Sequence, residues 1–151
     1  MESNQEPQLD DGQKSQIALR AQQFIDALHA LEDGSEEDAE ALVALFDEQA
    51  ELTNSALQLR GTAAKGRDAI LRFWIEYKST LNGARSHFHH LTTSDRAAGL
   101  FWTTEGQAAS GNAVHYHGAT LLDFDSSGLI TFFRGYYDTR ELTVRSESAS
   151  V

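Results

Sequence analysis

Residues 99–138, GLFWTTEGQAASGNAVHYHGATLLDFDSSGLITFFRGYYD, decide the fold. Apolar and polar side chains alternate through three runs with the period of two that marks a half-buried strand. The first run, Gly99 to Gln107, breaks at AASGN. The second, Ala113 to Phe124, breaks at Asp125-Ser126-Ser127-Gly128, where Asp and Ser bond local backbone and Gly tolerates positive φ. The third, Leu129 to Asp138, is rich in aromatic and β-branched residues. Three consecutive antiparallel strands need a cover on one face, and the helical patterns all lie upstream. The expected class is therefore α+β, with the helices on one side of the sheet.

Working back from that meander, Ile17, Ala21, Phe24, Ile25, Leu28 and Leu31 recur at three and four, which predicts an amphipathic helix from Gln13 that stops at Asp33-Gly34. Ser35 with Glu36, Glu37 and Asp38 makes an acid-rich first turn for a second helix carrying Ala41, Leu42, Leu45 and Phe46. Asp47 to Asn54 alternates as a short strand, and Leu57 to Arg60 is expected to return beside it before Gly61. A third helix opens at Gly66 or Arg67, places Ile70, Phe73, Trp74, Tyr77 and Leu81 on one face, and ends at Asn82-Gly83. Ser86 to Thr93 is the next strand, with a hairpin over 94–98 leading into the meander. Residues 1–13 contain the only proline and four acids and are expected to be a disordered arm. Residues 14–142 form a single domain, and 143–151 a loose tail.

The chain has 151 residues, enough for one domain with a sizeable core. A formal net charge of −11 opposes phosphate backbones and anionic lipid surfaces, so neither nucleic acid nor membrane is an expected partner. With no cysteine there are no disulfides, thiolate metal sites or thiol nucleophiles. The polar, acidic N-terminal stretch has none of the basic and apolar regions of a signal peptide, which points to the cytoplasm.

The segments ALVALFDEQAELTN (41–54), GRDAILRFW (66–74) and GLITFFRGYYDTREL (128–142) together resemble the SnoaL-like, or nuclear transport factor 2-like, superfamily over roughly residues 14–142. The resemblance implies a cone: a strongly bent antiparallel sheet wrapped around three helices, with an apolar pocket at its open end. It puts Phe133, Gly135 and Tyr137 inward on the last strand. The pleat then places Tyr116, Gly118, Thr120, Leu122 and Phe124 inward on the middle strand. Phe101, Thr103 and Glu105 are assigned inward on the first meander strand, with Phe88, His90 and Thr92 facing them across the hairpin, in an alternation that a bulge would shift.

Function does not follow from such a fold, so each catalytic set must be matched by residue. The oxyanion-hole and proton-shuttle positions of ketosteroid isomerase fall on Phe24, Thr120 and Asn54, which lack the needed acids. The catalytic set of limonene epoxide hydrolase falls on Glu105, Thr103 and Gly135, so only one acid survives. The histidine and carboxylate of the scytalone dehydratase type of site match His90 and Glu105. A carboxylate desolvated in an apolar cone beside an imidazole suits proton transfer without any cofactor. The expected function is dehydration, isomerisation or cyclisation of a small apolar ligand bearing a carbonyl or hydroxyl. Glu105 and His90 would be catalytic, Asn54, Tyr116 and Tyr137 orienting, and Phe24, Phe73, Trp74, Tyr77, Phe88, Phe101, Thr103, Thr120 and Phe133 lining. The alternatives are a non-catalytic binding or association module, and an epoxide hydrolase-like enzyme with an altered catalytic set.

Four further histidines fall on the outer face, His87 with His89 and His115 with His117. A strand lies between the two pairs, leaving roughly 9–10 Å between backbones, too far for easy convergence on one metal ion. A homodimer through that outer face, helped by Phe132 and Tyr136, is the expected use.

Overall fold

The computed structural model describes residues 11–142, with side chains from residue 16 onward. Residues 1–10 of the expected arm and the expected tail at 143–151 lie outside the described residues. Positions 11–13 open the first helix, α1 (Asp11–Asp33). Its stripe Ile17, Ala21, Phe24, Ile25, Leu28 and Leu31 is buried, each residue at most 9% exposed. After Gly34, the Ser35 N–H donates to Asp38 Oδ2 at 2.9 Å, which starts a 3-10 turn (Glu36–Asp38) running into α2 (Ala39–Val43).

Strand β1 (Phe46–Asn54) follows. The return strand expected at Leu57 to Arg60 is instead a short helix, α3 (Ser55–Leu59). Asn54 explains the difference, because its side-chain oxygen accepts from Leu57 N–H at 2.8 Å and so caps a helix where the alternation suggested a turn. The strand that pairs with β1 is β2 (Ala64–Lys65). Then come α4 (Arg67–Thr80), β3 (Arg85–Thr93), β4 (Ala97–Gln107), β5 (Ala113–Phe124) and β6 (Ile130–Tyr137).

The six strands form one curved, unclosed sheet in the order β2-β1-β6-β5-β4-β3. All neighbours are antiparallel except β1 and β6, which run parallel. The fold is α+β, as the sequence pattern and the resemblance imply. Phe24, Phe46, Leu52, Ile70, Leu100, Leu122 and Ile130 are almost wholly buried between helices and sheet. Each contributes about 1.5–3 kcal/mol relative to an exposed position. A second, smaller cluster of Leu81, Ala84, Trp102, Val114 and Tyr116 lies apart from this core.

The phase assigned to β4 is one residue out. Ala98, Leu100, Trp102 and Thr104 are buried, whereas Phe101 and Glu105 are exposed and Thr103 is half-buried. The cause is the register with β5, in which Thr104 faces Tyr116, Trp102 faces Gly118 and Leu100 faces Thr120. Residues directly opposite each other share a face. Since β5 turns its even-numbered residues inward, β4 must do the same. In β3 a bulge between Phe88 and His90 adds a residue, so Phe88 pairs with Trp102 but His90 pairs with Phe101. The inward phase that holds at Ser86 and Phe88 is lost beyond that point, and His90 and Thr92 are exposed.

Candidate active site

The open end of the cone encloses a cavity of about 300 Å³. Nine aromatic side chains line it. Phe24, Phe73, Trp74, Tyr77 and Phe133 meet edge-on or tilted around it, with centroid separations from 4.9 Å for Phe73–Trp74 to 6.2 Å for Phe24–Trp74. Trp102, Tyr116 and Tyr137 form a second aromatic triangle on the strands, 5.3–6.4 Å apart. Of the residues predicted to line the pocket, Phe24, Asn54, Phe73, Trp74, Tyr77, Phe88, Tyr116, Thr120, Phe133 and Tyr137 lie on this wall. The structure does not place Phe101, Thr103, Glu105 or His90 there.

The Glu105 carboxylate is 54% exposed on the outer face and lies 4.0 Å from His115 Nε2. His90 is exposed as well, with its Nδ1 2.9 Å from that of His89 and its ring edge-on to Phe101. Glu105 faces Arg85 and His90 faces Phe101, so four residues of β4, about 13 Å of strand, separate the two. They do not form a catalytic pair.

The acid that does approach the cavity is Glu32, which the sequence reading passed over. Its side chain is 1% exposed. Oε2 accepts from the Tyr77 hydroxyl at 2.6 Å and from Ser86 Oγ at 2.7 Å, while Oε1 accepts from Ser86 N–H at 2.9 Å. Ser86 Oγ is 2.6 Å from Thr104 Oγ1. Tyr77, Ser86 and Thr104 all line the cavity, so a buried carboxylate is joined to the ligand space by three hydroxyls. Cations sit at the margin: Arg85 Nε is 4.0 Å from Oε1, and the buried Lys78 ammonium donates to the Glu32 backbone carbonyl at 2.7 Å.

The signal for Glu32 was present in the sequence. It lies four residues after Leu28 and seven after Ile25, on the apolar stripe of α1, where a carboxylate must be desolvated and hydrogen-bonded. Ser86 and Thr104 carried no such signal. Both are small polar residues on strands and acquire their role only from the inward phase.

Burial pushes the Tyr77 hydroxyl well above its ordinary pKa, and the Glu32 carboxylate adds to the shift. Burial likewise raises Tyr116, with Tyr137 and Glu32 contributing. Tyr137 rises through burial, opposed by the Ala56 backbone and by Arg60. All three therefore stay protonated across neutral pH, as hydrogen-bond donors or acceptors and not phenolates. Tyr116 makes no hydrogen bond to another described residue and stands directly across from Thr104. Trp102 Nε1 donates to Thr120 Oγ1 at 2.9 Å, which fixes both on the wall. Trp74 Nε1 is buried without a partner among the described residues, a donor that costs about 1–3 kcal/mol until something accepts from it. Arg60 and Glu76, both exposed, mark the mouth.

The outer face carries His87, His115 and His117, with His117 3.4 Å from Glu141. Among the described residues no group of three or more His, Cys, Asp or Glu side chains is arranged to hold a metal ion. No described helix is long and apolar enough to cross a membrane.

The family described as SnoaL-like domain matches residues 21–133. No curated protein sequence matches the chain. Among solved structures, the pinacolase BvnE from Penicillium brevicompactum is similar with a TM-score of 0.75 at 13% identity, over 97% of this chain and 99% of that one. An LEH-like epoxide hydrolase of M. tuberculosis superposes with a TM-score of 0.67 at 15% identity, over 87% and 89%. The Mycobacterium tuberculosis protein RV0760c, solved in complex with estradiol-17beta-hemisuccinate, superposes with a TM-score of 0.68 at 17% identity, over 83% and 96%. At these identities the likeness is one of fold.

Proposed function

Because the chain belongs to the SnoaL-like domain family, we propose that it is a cofactor-independent enzyme performing isomerisation, cyclisation or dehydration by proton transfer on a small, largely apolar molecule with a hydroxyl or carbonyl group. The observation that carries this is the buried Glu32 carboxylate, joined through Tyr77, Ser86 and Thr104 to a cavity rich in aromatic side chains. A few convergent polar groups in an apolar pocket are what orient a small substrate.

In the chemistry this supports, a substrate O–H gives its proton to Thr104 as Thr104 passes its own to Ser86 and Ser86 to Glu32, which ends as the neutral acid. The proton held by Glu32 then returns along the same line: an enolate becomes a carbonyl as its C=C bond takes the proton on carbon, an alkoxide closes a ring by opening an epoxide C–O bond whose oxygen takes the proton, or a hydroxyl β to an enolate takes it and leaves as water. Tyr116, protonated and without a hydrogen bond to another described residue, donates a hydrogen bond to the oxygen that gains charge or leaves as water. Neighbours of the same fold include a pinacolase and an epoxide hydrolase, and one holds a steroid ester, which supports an apolar ligand and acid/base chemistry.

The test is a substrate panel of small alcohols, enones and epoxides with wild type and Glu32→Gln. Turnover by wild type and its loss in Glu32→Gln, with ligand affinity kept, supports the assignment; equal turnover removes it. A second reading, a non-catalytic binding module, is favoured by the fact that both Glu32 oxygens are already occupied by protein donors. Binding without turnover in either form selects it. A homodimer through the outer sheet face completes the proposal, supported by Phe101 and Tyr136, which leave 39% and 45% of their surface exposed there. Sedimentation of wild type against Tyr136→Glu decides it: a dimer that dissociates on substitution supports the contact, and a monomeric wild type rejects it.

A further inference from the structure

The hydrogen-bond directions around Glu32 determine which kind of ligand group the polar arc can recognise. The Tyr77 and Ser86 hydroxyls both donate to Glu32 Oε2. A hydroxyl has one proton. Ser86, having given its proton to Glu32, has none for Thr104, so the 2.6 Å contact between Ser86 Oγ and Thr104 Oγ1 must be a donation from Thr104 to Ser86. The three hydroxyls of this arc, Tyr77, Ser86 and Thr104, have thereby turned their protons toward the carboxylate. What remains on the ligand side is lone pairs.

We infer that this arc is an acceptor-only subsite selective for a ligand hydrogen-bond donor, an alcohol or enol O–H bound at Thr104 and Tyr77, and that it discriminates against a carbonyl in the same place. The assignment rests on the reading of Glu32 as the acceptor serving the cavity, and it narrows the substrate class from "hydroxyl or carbonyl" to hydroxyl at this end. A carbonyl oxygen set against Thr104 would face lone pairs with no proton between them, and a buried acceptor left unpaired weakens binding. The carbonyl end of a ligand belongs elsewhere on the wall, at Tyr116, whose hydroxyl is bonded to no other described residue. Sites built from committed hydrogen bonds discriminate much more sharply between polar groups than apolar walls do between sizes.

Two nearly isosteric probes test this without any need for turnover: 1-tetralol and 1-tetralone, titrated calorimetrically into the wild-type chain. The alcohol is expected to bind at least tenfold more tightly. Thr104→Val should bring the two affinities within about twofold by lowering that of the alcohol. Ser86→Ala provides an independent arm, because without Ser86 the Thr104 proton is released into the cavity. In that variant the ketone should gain affinity relative to wild type and the alcohol preference should shrink. Equal affinities in wild type, tighter binding of the ketone, failure of the alcohol to bind, or a preference that survives both substitutions would overturn the inference. The alcohol preference is read from binding and the enzymatic proposal from turnover, so either can fail while the other stands.

Discussion

Removing the Glu32 carboxylate should destabilise the fold by an amount set by its hydrogen bonds. Glu32→Ala deletes three bonds to a charged acceptor, from Tyr77 Oη, Ser86 Oγ and Ser86 N–H. Bonds to charged groups are each worth about 1.5–3 kcal/mol net, a gross loss of roughly 4.5–9 kcal/mol. Against this, the buried carboxylate no longer has to be held out of water, a relief of several kcal/mol. Tyr77 faces the cavity and can turn its hydroxyl to water there, and Ser86 Oγ can turn to Thr104. The Ser86 N–H, on a residue 3% exposed, has no such recourse. The net expectation is about 3–5 kcal/mol, the usual cost of breaking a buried polar network by removing one partner. Urea unfolding followed by far-UV circular dichroism measures it, with an unchanged slope showing that the unfolded state is the same. A thermal midpoint lowered by about 6–20 °C would accompany it. A Glu32→Ala variant within about 0.5 kcal/mol of wild type would refute the network as described.

Tyr77, Tyr116 and Tyr137 have raised pKa values, so in a spectrophotometric titration three of the four tyrosines should remain protonated as pH passes 10.0, the ordinary tyrosine value. The sign follows: below about pH 10 both folded and unfolded forms hold these protons and stability is unaffected, whereas above it the unfolded chain ionises first and stability falls. Ionisation of all four in a single native-state step near 10 would contradict the burial of the triangle. Gly118→Ala should destabilise by about 1–3 kcal/mol, because its Cβ would collide with the Tyr136 carbonyl oxygen and sit 2.9 Å from the Trp102 ring. A neutral effect in urea unfolding would mean that the β5–β6 register is different. Glu105→Gln and His90→Phe, both on the outer face, should each change ligand affinity less than twofold, measured by calorimetry with 1-tetralol.

The sequence revealed the architecture where one periodicity dominates. The α1 stripe from Ile17 to Leu31 and the aromatic face of α4 could be nothing but buried helix faces. The Asp125–Gly128 turn is legible for the same local reason: Asp125 Oδ1 accepts from Ser127 N–H, Ser127 Oγ and Leu129 N–H, as its position in a tight turn requires. The candidate site was harder, because β4 offers two plausible inward sets. Phe101 with Thr103 looks as apolar as Leu100 with Trp102 and Thr104, and only pairing with β5 distinguishes them. The bulge beside His89 is likewise invisible to alternation, since SHFHHLTT continues its pattern through it. A slip of one residue exchanged Glu105 and His90 for Ser86 and Thr104. The acid on α1 went unnoticed because Glu32 reads naturally as part of the polar end of a helix next to Asp33-Gly34.

The most direct measurement of the central claim is turnover of the first substrate found, compared among wild type, Glu32→Gln and Glu105→Gln at matched folding. If the hydroxyl-linked carboxylate behind the cavity runs the chemistry, Glu32→Gln loses at least a hundredfold in kcat, the scale of one general base, while Glu105→Gln keeps the wild-type rate. Loss of activity in Glu105→Gln with Glu32→Gln fully active would contradict the account.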